Sequence, residues 1–133
     1  MNGEVIVPIR VDADVLVARQ KARELAKSLK FSSSELTLIA TAISEVARNI
    51  VTYAKEGEIV LHLVSKGGRR GIRVVAHDDG PGIADVARAM EDGFSTSSSL
   101  GLGLPGSKRL MDDFDIVSAL GKGTTVTMTK WER

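Results

Sequence analysis

The 133-residue sequence contains no cysteine. That excludes disulfides, zinc–thiolate sites, iron–sulfur clusters and thiol catalysis. Histidine is nearly as scarce, present at His62 and His77 alone. Two histidines in strand-like segments read as ordinary strand residues, not as a metal site or part of a Ser-His-Asp arrangement. Aromatic residues make up 4% of the chain, too few for base-stacking platforms. An excess of charge is also missing. Lys plus Arg number 18 against 17 Asp plus Glu, a net +1, so there is no electrostatic case for nucleic acid or an acidic membrane as partner. No apolar run approaches the roughly 20 residues of a membrane span. The opening MNGEVIVPIRVDAD lacks the basic-then-apolar order of a signal peptide, so the expected setting is cytoplasmic.

What is present is an ordinary globular balance, 43% apolar and 26% charged. The length suits one domain, 1–133, with enough chain for a hydrophobic core. Residues 4–10 are β-rich, and Pro8 predicts an edge strand. Asp12 is the expected cap of a first helix that carries apolar residues from Val15 to Leu29. Ser33 or Ser34 is the expected cap of a second helix, running to about Ala54 and ended by Gly57. Its apolar stripe is Leu36, Ala40, Ile43, Ala47, Ile50 and Ala54. Strands are predicted over 58–65 and 72–77, joined by the GGRRG turn at 67–71. A short helix at 84–91 and a small, polar loop at 92–100 follow. Then come a helix opened by glycines from 101, and strands at 114–120 and 124–131 joined by GKG. This order does not alternate as a doubly wound fold does. It predicts an α+β two-layer sandwich, helices packed on one face of a mixed, mostly antiparallel sheet.

Four motifs carry possible chemistry. Glu45 and Asn49 are four apart on the second helix and share a face nearly opposite the apolar stripe. Two oxygen-bearing side chains there suit a magnesium–phosphate group. The plain alternative is a solvated polar face, with Glu45 and Arg48 a weak surface pair. Asp78-Asp79-Gly80-Pro81-Gly82-Ile83 ends a buried strand. Asp78 placed there can accept from the exocyclic amine of adenine, where guanine presents a carbonyl; the alternative is a hydrophilic turn. Gly101-Leu102-Gly103-Leu104-Pro105-Gly106 opens a helix, whose free N–H groups suit phosphate. It also matches the dinucleotide fingerprint G-x-G-x-x-G, but Ser95–Ser99 precede it instead of a strand and no second half-fold follows. Gly121-Lys122-Gly123-Thr124 is a hairpin turn whose threonine could join the Asp78 site.

The order and spacing of these motifs, from about Ser34 to Trp131, resemble the GHKL ATP-binding superfamily and its Bergerat-type sandwich. Length selects within it: a stand-alone domain this size is similar to the anti-sigma-type serine/threonine kinases. AISEVARNI at 42–50, MEDGFSTS at 90–97, GLGLPGSKRLMDDF at 101–114 and the terminal KWER resemble the kinases of the stressosome. The resemblance implies ATP and Mg²⁺ as cofactors and phosphorylation of serine or threonine on STAS-domain proteins. It also implies a partner switch, in which release frees the kinase to activate a PP2C-type phosphatase. By the same resemblance Glu45 is the general base, Asn49 the Mg²⁺ ligand, and Asp78 the adenine contact. Gly80, Gly82 and Ile83 line the purine, residues 84–100 form the ATP lid, and Gly101, Leu102 and Gly103 meet the phosphates. Thr124 supports the adenine end. Related kinases carry an arginine just before G-x-G, where this sequence has Ser97-Ser98-Ser99-Leu100. That departure implies weak intrinsic turnover completed by the bound protein substrate. Two other classes remain open: a non-catalytic, nucleotide-gated binding module, and a sensor-kinase catalytic domain acting in trans on a histidine.

Overall fold

A computed structural model describes residues 4–83 and 103–133. The elements are β1 (Val5–Ile9), α1 (Asp12–Ala26), α2 (Ser33–Asn49), β2 (Gly57–Lys66), β3 (Arg69–Asp78), α3 (Gly103–Leu110), β4 (Asp113–Ser118) and β5 (Thr124–Trp131). The predicted helix at 84–91, the lid, Gly101 and Leu102 lie outside the described residues. The sheet order is β1-β2-β3-β5-β4 and every pairing is antiparallel, so no parallel pair makes the described sheet mixed. β1 lies at one edge, the position in a sheet that tolerates Pro8.

Alternation builds the two layers. Ile72, Val74, Ala76 and Asp78 of β3 are buried and share one face of the sheet with Val126 and Met128 of β5 and Ile59 and Leu61 of β2. Val15, Ala18 and Ala22 of α1 and Ile39, Ile43, Val46 and Ala47 of α2 join the same core. The sheet's other face is uncovered by any described element, and His62 and His77 are part-buried there, His77 Nδ1 lying 2.9 Å from Thr125 Oγ1.

The caps differ from expectation by one or two residues. Asp12 is the first helical residue of α1, and Val11 stands at the cap position. Asp14 does the capping instead, its carboxylate accepting the N–H groups of Arg10 (2.8 Å) and Val11 (3.1 Å). Those bonds hold its carboxyl below the usual range. On α2 the cap is Ser32, ahead of Ser33 and Ser34: Ser32 Oγ accepts from Glu35 N–H and Glu35 Oε1 from Ser32 N–H. The helix does reach Ala54, but its last turn, Ile50–Ala54, is π-helical. Lys55, at φ 73°, ends it, and Gly57 is already the first residue of β2. β3 runs to Asp78 and begins earlier than 72, because Gly67 and Gly68, both at positive φ, make a two-residue turn that lets pairing begin at Arg69.

Candidate active site

The site is a row across one end of the sheet. The registers place Gly57, Asp78, Thr124 and Ser118 side by side on β2, β3, β5 and β4. Side chains in one such row share a face, and here it is the face toward the helices. Asp78 is 5% exposed and Thr124 6%. One Asp78 oxygen accepts the N–H of Gly80 at 2.8 Å, closing the turn that reverses the chain. Its other oxygen bonds no described residue.

The glycines are required by close approaches within the protein. A Cβ on Gly80 would sit 2.6 Å from Ala54 Cβ, so the turn after β3 lies directly on the π-helical turn. A Cβ on Gly82, at φ 77°, would meet Ala119 O, and one on Gly123 would meet Asp78 O. Gly121 N–H bonds Pro81 O at 2.8 Å. The D-D-G-P-G segment and the β4–β5 turn are thereby locked together. Ile83 joins them through its N–H, which donates to Ser118 Oγ at 2.7 Å.

Glu45 and Asn49 stand on α2, Glu45 7% exposed and Asn49 part-buried. The alternative of a solvated face with a surface ion pair is therefore overturned for Glu45. α3 packs on α2, with Ser107 Oγ donating to Ala42 O at 3.3 Å, while the sheet covers another side of the same helix. A carboxylate held there needs compensation. Arg48 supplies part of it, Nη1 lying 3.8 Å from Glu45 Oε2. Asn49 and Glu45 precede Ala54 by five and nine residues, roughly 8 and 14 Å along a helix axis. One helix thus passes from the Asp78 turn to the Glu45 carboxylate.

Gly103 opens α3, whose C-terminal end is held by the buried Lys130, Nζ donating to Leu110 O at 2.9 Å. Ser118 was not singled out by sequence. The signal was available in the β4–β5 hairpin, where pairing outward from the GKG turn sets Ser118 opposite Thr124. Among the described residues no group of three or more His, Cys, Asp or Glu could hold a metal unaided. Asn49 and Glu45 offer the sparse oxygen donors Mg²⁺ accepts when phosphates and waters complete its shell.

A two-layer sandwich with this motif order is that of a nucleotide-binding ATPase domain, and the family comparison agrees. The chain belongs to the histidine kinase-like ATPase domain family, whose model matches residues 9–130. Within that family it is an enzyme of the serine/threonine-protein kinase class. It is 48% identical to serine/threonine-protein kinase RsbT of Bacillus subtilis (strain 168), over the whole length of both chains. It is also similar to the anti-sigma F factors of Thermoanaerobacter sp. (strain X514), 32% identical, and Caldanaerobacter subterraneus subsp. tengcongensis, 33% identical. Each of those matches covers 86% of this chain and 82% of the relative. No helix among the described residues is long and apolar enough to cross a membrane.

Proposed function

We propose that the chain binds Mg-ATP across the Asp78 end of the sheet and transfers the γ-phosphoryl group to serine or threonine of a STAS-domain protein. The released kinase then activates a PP2C-type phosphatase in a cytoplasmic stress response of the stressosome kind. The observation that carries this reading is the geometry of α2. It joins a buried acceptor for an amine, Asp78 beside Gly80 and Ala54, to a buried carboxylate, Glu45, further along the same helix.

Adenine is held by its amine on Asp78, with Thr124 beside it, and Ile83 and the glycine turns at its edge. The triphosphate follows α2. Asn49 is the residue that would hold Mg²⁺, which neutralises phosphate charge when bound. Gly101, Leu102 and Gly103 would give backbone N–H groups to the phosphates as α3 opens. Glu45 accepts the hydrogen bond of the substrate hydroxyl and orients it toward phosphorus. The serine oxygen–phosphorus bond forms, the bond to the β-phosphate oxygen breaks, ADP leaves, and the hydroxyl proton passes to Glu45 and then to solvent. Positioning and charge neutralisation are most of what phosphoryl transfer asks.

A second reading, the nucleotide-gated binding module, is favoured by the anti-sigma F factors among the relatives. One experiment separates the two. Glu45→Ala should retain Mg-ATP binding by calorimetry and lose phosphoryl transfer to a STAS-domain protein by about 10²-fold or more. Equal transfer by variant and wild type sinks the catalytic role of Glu45. Phosphatase activation that survives in the variant assigns the switch to binding. Acid stability of the phosphoprotein distinguishes phosphoserine from the phosphohistidine of a sensor kinase.

A further inference from the structure

Ser118 closes the row that carries Asp78 and Thr124, and its hydroxyl makes three hydrogen bonds. It accepts from Ile83 N–H at 2.7 Å, donates to Gly123 O at 3.0 Å, and lies 2.8 Å from Thr124 Oγ1. A serine hydroxyl has one proton and two lone pairs. With its proton on the buried Gly123 carbonyl and one lone pair taken by Ile83, the remaining lone pair can only receive the Thr124 proton. The Thr124 hydroxyl is then a donor toward Ser118 and presents lone pairs alone to its other neighbours.

We propose that Ser118 is a specificity-determining residue that acts through Thr124, making the purine end of the site a surface of hydrogen-bond acceptors. The inference rests on the reading of Asp78 and Thr124 as the adenine contacts. Asp78 offers a carboxylate oxygen, and Thr124 offers lone pairs. A base with an exocyclic amine supplies the protons both need. A water bridging Thr124 to the ring gives one proton to Thr124 and points its second at a ring nitrogen that accepts, as adenine N1 does. Guanine opposes both contacts: its carbonyl faces the carboxylate, and its N1–H faces the water's proton. Buried polar groups left unpaired discriminate more sharply than apolar contacts do. Without Ser118 the Thr124 proton is free to turn toward the base, and the surface becomes a mixed one that tolerates either purine.

The test is calorimetric titration of Mg-ATP and Mg-GTP into the wild type, Ser118→Ala, Thr124→Val, the double variant and Asp78→Asn. For Ser118→Ala we expect ATP to weaken about tenfold and GTP by no more than about twofold, so that the preference narrows. The double variant should bind ATP as Thr124→Val does, because the two residues act as one unit. An unchanged ATP/GTP ratio in Ser118→Ala, or additive losses in the double variant, overturns the proposal and leaves Ser118 a purely structural residue. Should Ser118→Ala fail to fold, the wild type still tests the acceptor surface on which the role of Ser118 depends. An acceptor surface ranks ATP above purine riboside triphosphate and both above inosine triphosphate, and inosine triphosphate binding as well as purine riboside triphosphate sinks it. Failure of the underlying reading looks different: wild type and Asp78→Asn would bind ATP equally, or neither would bind, and the proposal falls with it.

Discussion

Single residues divide sharply into those the sequence announces and those it hides. Asp78, Gly80, Gly82 and Thr124 stand at strand ends, where glycine and proline punctuate the chain visibly. Their convergence follows from register, Asp78 opposite Thr124. The reason for the glycines was not legible. The sequence suggests backbone making way for a ligand; close approaches to Ala54 and Ala119, distant in sequence, are a second demand that no local pattern shows. The burial of Glu45 was hidden for the same reason, because a helical wheel knows nothing of the helix that packs on the polar side. The two glycines should respond differently to alanine. At Gly82 both the positive φ and Ala119 O oppose a Cβ, and Gly82→Ala should cost about 3 kcal/mol in denaturant unfolding. Gly80 has ordinary backbone torsion and a clash with Ala54, so Gly80→Ala should push the turn off the π-helical turn. The measurable result is ATP binding weakened about tenfold or more, with a smaller loss of stability. Equal ATP affinity in Gly80→Ala and wild type would rule out that coupling.

At the scale of elements, the strands and helices were legible because their periods are regular, and the departures occur where a special backbone takes over. α2 illustrates this. Its apolar stripe continues to Ala54 in sequence, and nothing in that pattern distinguishes an α turn from the π turn at Ile50–Ala54. The wider turn allows Lys55 N–H to reach Ile50 O at 2.8 Å and seats Ala54 on Gly80. The termination is paid for at Lys55, whose φ of 73° is one that side chains with a Cβ rarely adopt. Glycine would adopt it freely. Lys55→Gly should therefore raise stability by about 1 kcal/mol, net of the unfolded-state entropy glycine adds. A chemical denaturation midpoint that falls in Lys55→Gly would show that the π turn is held by the lysine side chain and not merely tolerated.

The whole molecule is fastened at the end remote from the site, and none of that fastening was readable from local pattern. Thr124 and Trp131 bracket β5, about 23 Å apart at the rise of a strand. At the Trp131 end, Asp112 accepts from Arg133 Nη2 at 2.7 Å and from Trp131 N–H at 2.8 Å, with Lys130 Nζ 3.9 Å away. Glu132 accepts from Lys30 N–H and pairs with Arg70 at 2.9 Å, joining residues up to 102 apart. Partners so distant leave no signature in a window of sequence. Burial pushes the Asp112 carboxyl up, but the Arg133 guanidinium, the Trp131 N–H and the Lys130 charge together carry it below its usual value. The Lys30 N–H and Arg70 lower that of Glu132. A carboxyl lowered in the native state adds stability above its unfolded pKa, about 4, and loses it as pH falls from there toward the native value. The clasp is therefore at full strength at neutral pH and weakens below about pH 4. Asp112→Asn should cost about 1 kcal/mol at pH 7, since it removes charge-assisted bonds at an exposed position where solvent screens them. The same substitution should cost progressively less as pH falls below 4, where the wild type protonates. Because Lys130 also holds the C-terminal end of α3 and Ser107 ties that helix to α2, loosening the clasp should reach the site. The unfolding free energies of the two proteins, followed from pH 7 to pH 3, should converge. Parallel curves would place the Asp112 effect in packing and not in its charge.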